Sequence, residues 1–425
     1  MISVKIIKEA FSTDVLHLWI SRIAYYILLF LFSIGILHYI NVLFGPSTYD
    51  MTSARYMISA LIQSEAAIMA IIVSFSLVAV ELASSSYSVR MIDLLRAYNP
   101  DFWILMVIYI GSMTYSLFVL KSIPGNEGKY DMQLQIAISF YTGVYSFLTL
   151  FPYLFRTLHM LKPSTLLNIQ AMKLTAGSIT TDVHSDAYTA HENDPIQPII
   201  DIISSSLLNH DFETTRNGLN IIGMRAKEIF IRNNLEPTKQ KIIANYIFSR
   251  LAKIGKFTLI HSDEDSTFIV IRNLEILWKE LEKNDLGESV LQASSSLEQI
   301  GTVAADTNQR SVLSTVINHL YEIGQKAIDM NYDGESSRVI DSLGSVGVSC
   351  VNKRIDPLIV EEIINSIGKL GIKASESDQE LSVSKSLDSM NALKGSMELI
   401  ETPEYQQLCL KSENFSRSIT KSNLY

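Results

Sequence analysis

Four stretches of the chain, about residues 20–44, 56–83, 102–120 and 132–155, are long runs of aliphatic, aromatic and small residues with almost no charge. Roughly 20 consecutive apolar residues make a helix through hydrocarbon, where every backbone amide must be paired within its own segment. The first run has no charged residue from Ile23 to Tyr49. It is too long for a signal peptide, and no small-residue cleavage site follows it. Trp19, Trp103, Tyr130 and Tyr153 stand near span ends, where aromatic rings anchor at the interface. Pro124-Gly125-Asn126 marks a short loop between the third and fourth spans. The expectation is a multi-pass protein with four transmembrane helices in residues 1–165 and the lipid bilayer as its first partner.

Charge divides the chain at the same place. Residues 1–165 hold 19 charged side chains with a net charge of +1; residues 166–425 hold 60 with a net charge of −10. The overall 19% charged is therefore the mean of a segment suited to lipid and one suited to water. Lys5, Lys8, Arg22, Arg90, Arg96, Arg156 and Lys162 flank one side of the spans, and only Arg55, Lys121 and Lys129 the other. The positive-inside rule puts both termini and the acidic part in the cytoplasm, with the spans in the cell membrane. An acidic surplus offers no basic face to phosphates, so nucleic acid is excluded as a partner. Cys350 and Cys409 are too few for a disulfide framework and lack zinc spacing, which fits packing roles in a reducing compartment.

The second span carries the chemistry. Residues 53–98 contain no proline or glycine, so the span can continue as one long helix beyond the bilayer. At 100° per residue, Gln63, Ala67, Ala70, Ser74, Glu81, Ser85 and Ser88 fall within about 40° of one line. Such a small, polar stripe serves either as one wall of a hydrated pathway or as a surface for close helix packing. Glu65 lies about 160° from Glu81 and belongs to the opposite face. An ionisable residue within a span is costly, so Glu65 either has a transport or proton-linked role or is hydrogen-bonded to Tyr or Ser hydroxyls of another span. Glu65, Ser74, Glu81, Ser85 and Ser88 are the candidate intramembrane polar residues. Ser139 and Gly143 in span four give a small-xxx-small packing pair, and Gly111 with Tyr115 reads as a packing feature of span three.

Ser74, Leu77, Val78, Ala79, Leu82, Ala83, Ser84, Ser85, Tyr87, Ser88 and Arg90 match the pattern S-x-x-L-V-A-x-Q-L-A-S-S-Q-[YF]-S-P-R. In this stretch the chain resembles a prokaryotic family of predicted membrane proteins catalogued as a domain of unknown function. Glu81 and Ser86 stand where that pattern has Gln, and Val89 where it has Pro. Residues 158–161 and 194–219 are similar to the family more loosely. The resemblance implies four spans and a cytoplasmic domain, and it brings no established activity.

The second half repeats itself. The pattern L-x-x-I-G-x-x-A recurs with glycines at Gly223, Gly255, Gly301, Gly324, Gly347 and Gly371. From Gly255 onward the spacings are 46, 23, 23 and 24, and the copy missing from the double interval is Leu274-x-x-Leu277-Trp278, with tryptophan in the glycine slot. Apolar residues at helical spacing, such as Val312, Val316, Leu320, Ile323 and Ala327, make each unit one amphipathic helix. A mid-helix glycine costs roughly 1 kcal/mol against alanine, so its recurrence points to close helix crossings. Two units make a helical hairpin of HEAT-like length, and the expectation for 197–400 is an α-solenoid of seven or eight helices, with an irregular bundle as the alternative. Residues 166–196 read as a linker and 401–425 as a loosely ordered tail. The fold class is all-α: four membrane helices followed by a cytoplasmic helical-repeat domain.

No phosphate loop, nucleophile elbow, zinc-protease motif or dinucleotide fingerprint is present, so neither catalytic residues nor a cofactor is expected. His184, Asp186, His191, Glu192 and Asp194 lack tight ligand spacing and read as a solvated linker, so no metal is expected either. His210 and His319 read as core or surface residues. Two functions follow. The first is an oligomeric channel or transporter-like conduit, a homo-oligomer with the repeat domain as collar. The second is a membrane-anchored scaffold or sensor whose repeat domain binds protein partners.

Overall fold

The computed structural model describes residues 13–44, 51–86, 100–123, 132–183, 194–232, 236–282 and 287–422, and they are helical with no strand among them. The chain divides into two compact units, 1–166 and 167–425.

The first unit contains α1 (Thr13–Phe44), α2 (Met51–Ser86), α3 (Pro100–Ser122) and α4 (Gln133–Met160). All four are long and apolar enough to cross a membrane. Two buried clusters fix their order. Ala54 and Ile58 at the start of α2 meet Val119 and Ile123 at the end of α3 and Ile136 at the start of α4. Further along α2, Ile72 meets Leu105 and Tyr109 early in α3, Tyr153 late in α4 and Tyr26 early in α1. Successive helices therefore run antiparallel, and the start of α1 shares an end of the bundle with the end of α4. A Cβ on Gly143 would sit 2.5 Å from Leu61 Cδ2, so the packing role of that glycine is a close approach of α4 to α2. Gly111 has nothing within 4 Å of its Cβ direction and is no such contact.

Most of α5 (Pro163–Lys173) and all of α6 (Ala176–Val183), α7 (Gln197–Leu208), α8 (Phe212–Arg232), α9 (Pro237–Ile260) and α10 (Glu264–Glu282) belong to the second unit. It continues through α11 (Gly287–Asp306), α12 (Arg310–Asp329), α13 (Asp333–Asn352), α14 (Pro357–Glu376), α15 (Glu380–Met397) and α16 (Pro403–Ser422). α8 packs against α7 and α10, and from α9 onward each helix packs against the next in sequence and against the helix two places on, giving two rows: α8, α10, α12, α14, α16 and α9, α11, α13, α15. This is the expected HEAT-like stack, although it has nine helices among the described residues where seven or eight are expected. Every repeat glycine receives a side chain from the next helix of its own row: Asn273 at Gly223, Ile300 at Gly255, Val346 at Gly301, Leu370 at Gly324, Leu393 at Gly347 and Ile419 at Gly371.

Two expectations are corrected. Residues 166–196 are in large part helical, because Leu167, Ala171, Leu174 and Ile179 are buried and Arg225 Nε donates to the Ala171 carbonyl at 2.9 Å. Residues 403–422 form α16 instead of a loose tail, and bury Tyr405, Leu408, Ser412 and Ile419 against α14 and α15. Residues 184–193, with His184, Asp186, His191 and Glu192, lie outside the described residues.

Candidate functional site

One face of α2 is buried at Ile58, Glu65, Ile72 and Ala79, a seven-residue recurrence in which a carboxylate occupies a core position. Glu65 is wholly buried. Its Oε1 accepts the Ser112 hydroxyl of α3 at 2.7 Å and the Ser146 hydroxyl of α4 at 2.8 Å. Oε2 has no hydrogen-bond partner among the described residues. The Ser146 carbonyl accepts the Tyr109 hydroxyl at 2.8 Å and the Thr149 hydroxyl at 2.6 Å. One turn away Ser116 and Ser139 share a hydrogen bond of 2.7 Å. Nearer the other end Ser76 bonds Tyr153, and Tyr145 donates to the Tyr26 carbonyl at 2.9 Å, which ties α1 to α4. The polar atoms thus form a column inside one bundle, and every link except Thr149 to Ser146, which lies within α4, joins two spans.

The ends are also fastened. Arg156 near the end of α4 donates to both oxygens of the buried Asp101 in the first turn of α3, at 2.7 and 2.9 Å. The same guanidinium lies 5.8 Å from the Tyr25 ring centroid. At the opposite end Arg55 donates to the Ile123 carbonyl at 2.7 Å.

The stripe on α2 does not take part. Gln63, Ala67, Ala70, Ser74 and Glu81 all face outward from the bundle and are exposed. Ser85 lies in α2 with its side chain outside the described atoms, and Ser88 lies outside the described residues. Glu65 and the stripe are therefore separate features on opposite faces, as the helical spacing requires. The described helix ends at Ser86. In the second unit Asp194 fastens the start of α7 to α9, because its carboxylate accepts from the Tyr246 hydroxyl, the Arg250 guanidinium and the Ile196 amide.

This geometry of four antiparallel spans with a polar core can be set beside known sequences. Residues 16–199 match the family model described as Predicted membrane protein (DUF2254). The match takes in all four spans, and the resemblance read from the residues around Ser74 to Arg90 is to such a family. It stops at the start of the helical array. No curated protein matches the chain in sequence. One solved structure is similar over 88% of this chain and 96% of its own, at 12% identity and a TM-score of 0.32. It is described as a circular tandem repeat protein with novel repeat topology and enhanced subunit contact surfaces.

Sequence reasoning found Glu65 and the kind of partner it has, but not which hydroxyls. Ser112 and Ser116 stand four apart and Ser139 and Ser146 seven apart, each pair on one face of an apolar helix, which was the available signal. The Asp101–Arg156 pair was also missed. In an up-and-down bundle the start of span three and the end of span four share a side, which brings these two charges together.

Proposed function

We propose that the protein is an oligomeric membrane conduit for small cations, in which α2 helices from several copies line the passage. The observation that carries this reading is the outward position of Gln63, Ala67, Ala70, Ser74 and Glu81. A polar amide, a hydroxyl and a carboxylate on the outer face of a membrane helix are unfavourable against lipid and favourable against water or a second protein surface. Small residues at Ala67 and Ala70 let neighbouring helices approach, and a ring of Glu81 carboxylates at one mouth attracts cations. Glu65 serves each copy from within, holding α2 to α3 and α4. Both termini are placed in the cytoplasm on the strength of the basic residues at one side of the spans, and the helical array forms a collar there.

The test is reconstitution of the full chain in liposomes, with potassium and chloride flux measured separately. Cation flux is expected, with Glu81→Gln lowering the preference for potassium and Ser74→Leu lowering conductance. Absence of flux from protein that runs as a single copy in detergent overturns the reading.

A further inference from the structure

We propose that Glu275, His319 and Glu322 form a binding site for a zinc-class divalent cation in the helical array. The site lies where the repeat breaks. Elsewhere in the array a glycine lets the next helix of the row come close, as at Gly301 with Val346 and Gly324 with Leu370. α10 has Trp278 in that slot. Its bulk holds α12 off, and these two helices touch along less of their length than the other same-row pairs. The result is a cleft of about 10 Å³, the room one water-sized group needs, lined by Glu275, Trp278, His319 and Glu322 among apolar side chains.

The donors converge there from two helices. His319 and Glu322 are one turn apart on α12, and Glu275 faces them from α10. His319 Nε2 lies 3.8 Å from Glu275 Oε2, and Nδ1 lies 3.7 Å from Glu322 Oε2. One ligand atom from each residue lies within 4.8 Å of the other two. An ion takes only one of the two imidazole nitrogens, so the separations it must close run up to 4.8 Å. A tetrahedral zinc ion with bonds near 2.0–2.2 Å needs ligand atoms about 3.3–3.6 Å apart, which a rotation of the exposed Glu322 side chain supplies. Lys279 Nζ holds the other oxygen, Glu275 Oε1, at 2.5 Å and so leaves Oε2 turned toward the imidazole. One imidazole and two carboxylates suit zinc and its neighbours in the transition series, with a fourth position open to water.

A second observation points to an occupant. The Trp278 indole N–H is buried and has no acceptor among the described residues, and its side chain lines both this cleft and an adjoining one bounded by Glu282, Ser289 and Lys326. A buried donor without an acceptor is unfavourable. Water on the open position of the ion is the acceptor this proposal assigns to it. Sequence spacing gave no sign of this set, because Glu275 and His319 belong to different helices 44 residues apart.

The test uses the full chain in detergent, stripped of metal by chelator and dialysed, with Zn²⁺ alone titrated by calorimetry. One ion per chain is expected, with His319→Gln and Glu322→Gln each weakening binding by at least about tenfold, and His261→Gln leaving it unchanged. Co²⁺ alone should quench tryptophan fluorescence, and Trp278→Phe should abolish the quench while binding persists. Glu322 is exposed, so its variant carries the test if His319→Gln fails to fold. The proposal is overturned if no saturable site is seen, if Glu322→Gln binds as the wild type does, or if the quench survives in Trp278→Phe.

Discussion

Glu65 gives one oxygen to two serines on two other spans; its loss leaves the buried Ser112 hydroxyl without its acceptor, while Ser146 keeps the Thr142 carbonyl of its own helix. Interhelical hydrogen bonds in membrane proteins are modest, averaging about 0.6 kcal/mol, but an unsatisfied buried group costs more. Glu65→Ala is therefore expected to lower stability by about 1–3 kcal/mol, and Glu65→Gln, which keeps an acceptor, by less than about 1 kcal/mol. Unfolding in mixed detergent micelles measures both, and an alanine variant as stable as the wild type would falsify the anchoring role. Cys350 permits a pH test in the other unit. Burial pushes its thiol up from an ordinary value near 9 to about 12. Below pH 9 the thiol is neutral in both folded and unfolded chains and has no effect on their balance. Between 9 and 12 the unfolded chain ionises while the folded one does not, so stability falls as pH rises through that window. By pH 10 the loss is about 1 kcal/mol. Cys350→Ala should remove this component, making the fall in melting temperature from pH 8 to pH 10 shallower than in the wild type; equal slopes refute it.

Among elements, the repeat helices show what a sequence reveals and what it hides. The glycines were legible because glycine inside a helix is unfavourable and must be explained by its neighbours. Gly371 and Gly395 separate the two effects. A Cβ at Gly371 would lie 2.6 Å from Ile419 Cδ1 and 2.8 Å from Ser386 Cβ, which cannot rotate away, so Gly371→Ala should cost about 1–3 kcal/mol. Gly395 faces open space, and Gly395→Ala should gain about 0.5–1 kcal/mol. Thermal melts followed by circular dichroism give both signs, and a stabilised Gly371→Ala contradicts the close-crossing account. The helix ends keep the same register as the glycines but were not legible. Ser262, Asn308, Asn331, Arg354 and Asp378 all have φ near +55 to +60°, where glycine is usual. Each is followed by a residue whose amide closes back on the preceding helix, as Gln309 does to Ala304 at 2.9 Å and Ile355 to Cys350 at 2.9 Å. α16 was hidden for a different reason. Its buried face is Tyr405, Leu408, Ser412 and Ile419, and a serine in a core slot interrupts the apolar period. At the site, a lone glutamate among apolar residues identified itself. Its serine partners did not, because which hydroxyl reaches it depends on how three helices are rotated, and no single helix carries that information.

For the whole molecule, the two faces of α2 demand different partners. The Glu65 face is buried inside one bundle, with Oε1 bonded to two other spans, whereas the face with Gln63, Ala67, Ala70, Ser74 and Glu81 is exposed in a single copy. In lipid, apolar burial supplies no drive for helices to associate, so close packing of small residues and hydrogen bonds between polar ones must do so. The stripe offers both, flanked by exposed Leu77 and Val78 that can pack alongside. Assembly should then depend on residue size on this face and be indifferent to the opposite one. Ala67→Leu with Ala70→Leu is expected to shift purified protein from a multiple of 47.7 kDa toward the single chain, as read by native mass spectrometry after detergent release. Glu65→Gln should keep the wild-type mass, since its contacts lie within one copy. If the double leucine variant assembles as the wild type does, α2 is not the contact and the lining role of Ser74 and Glu81 fails with it. If Glu65→Gln alone dissociates the assembly, the bundle interior governs association, and the division of labour between the two faces is wrong.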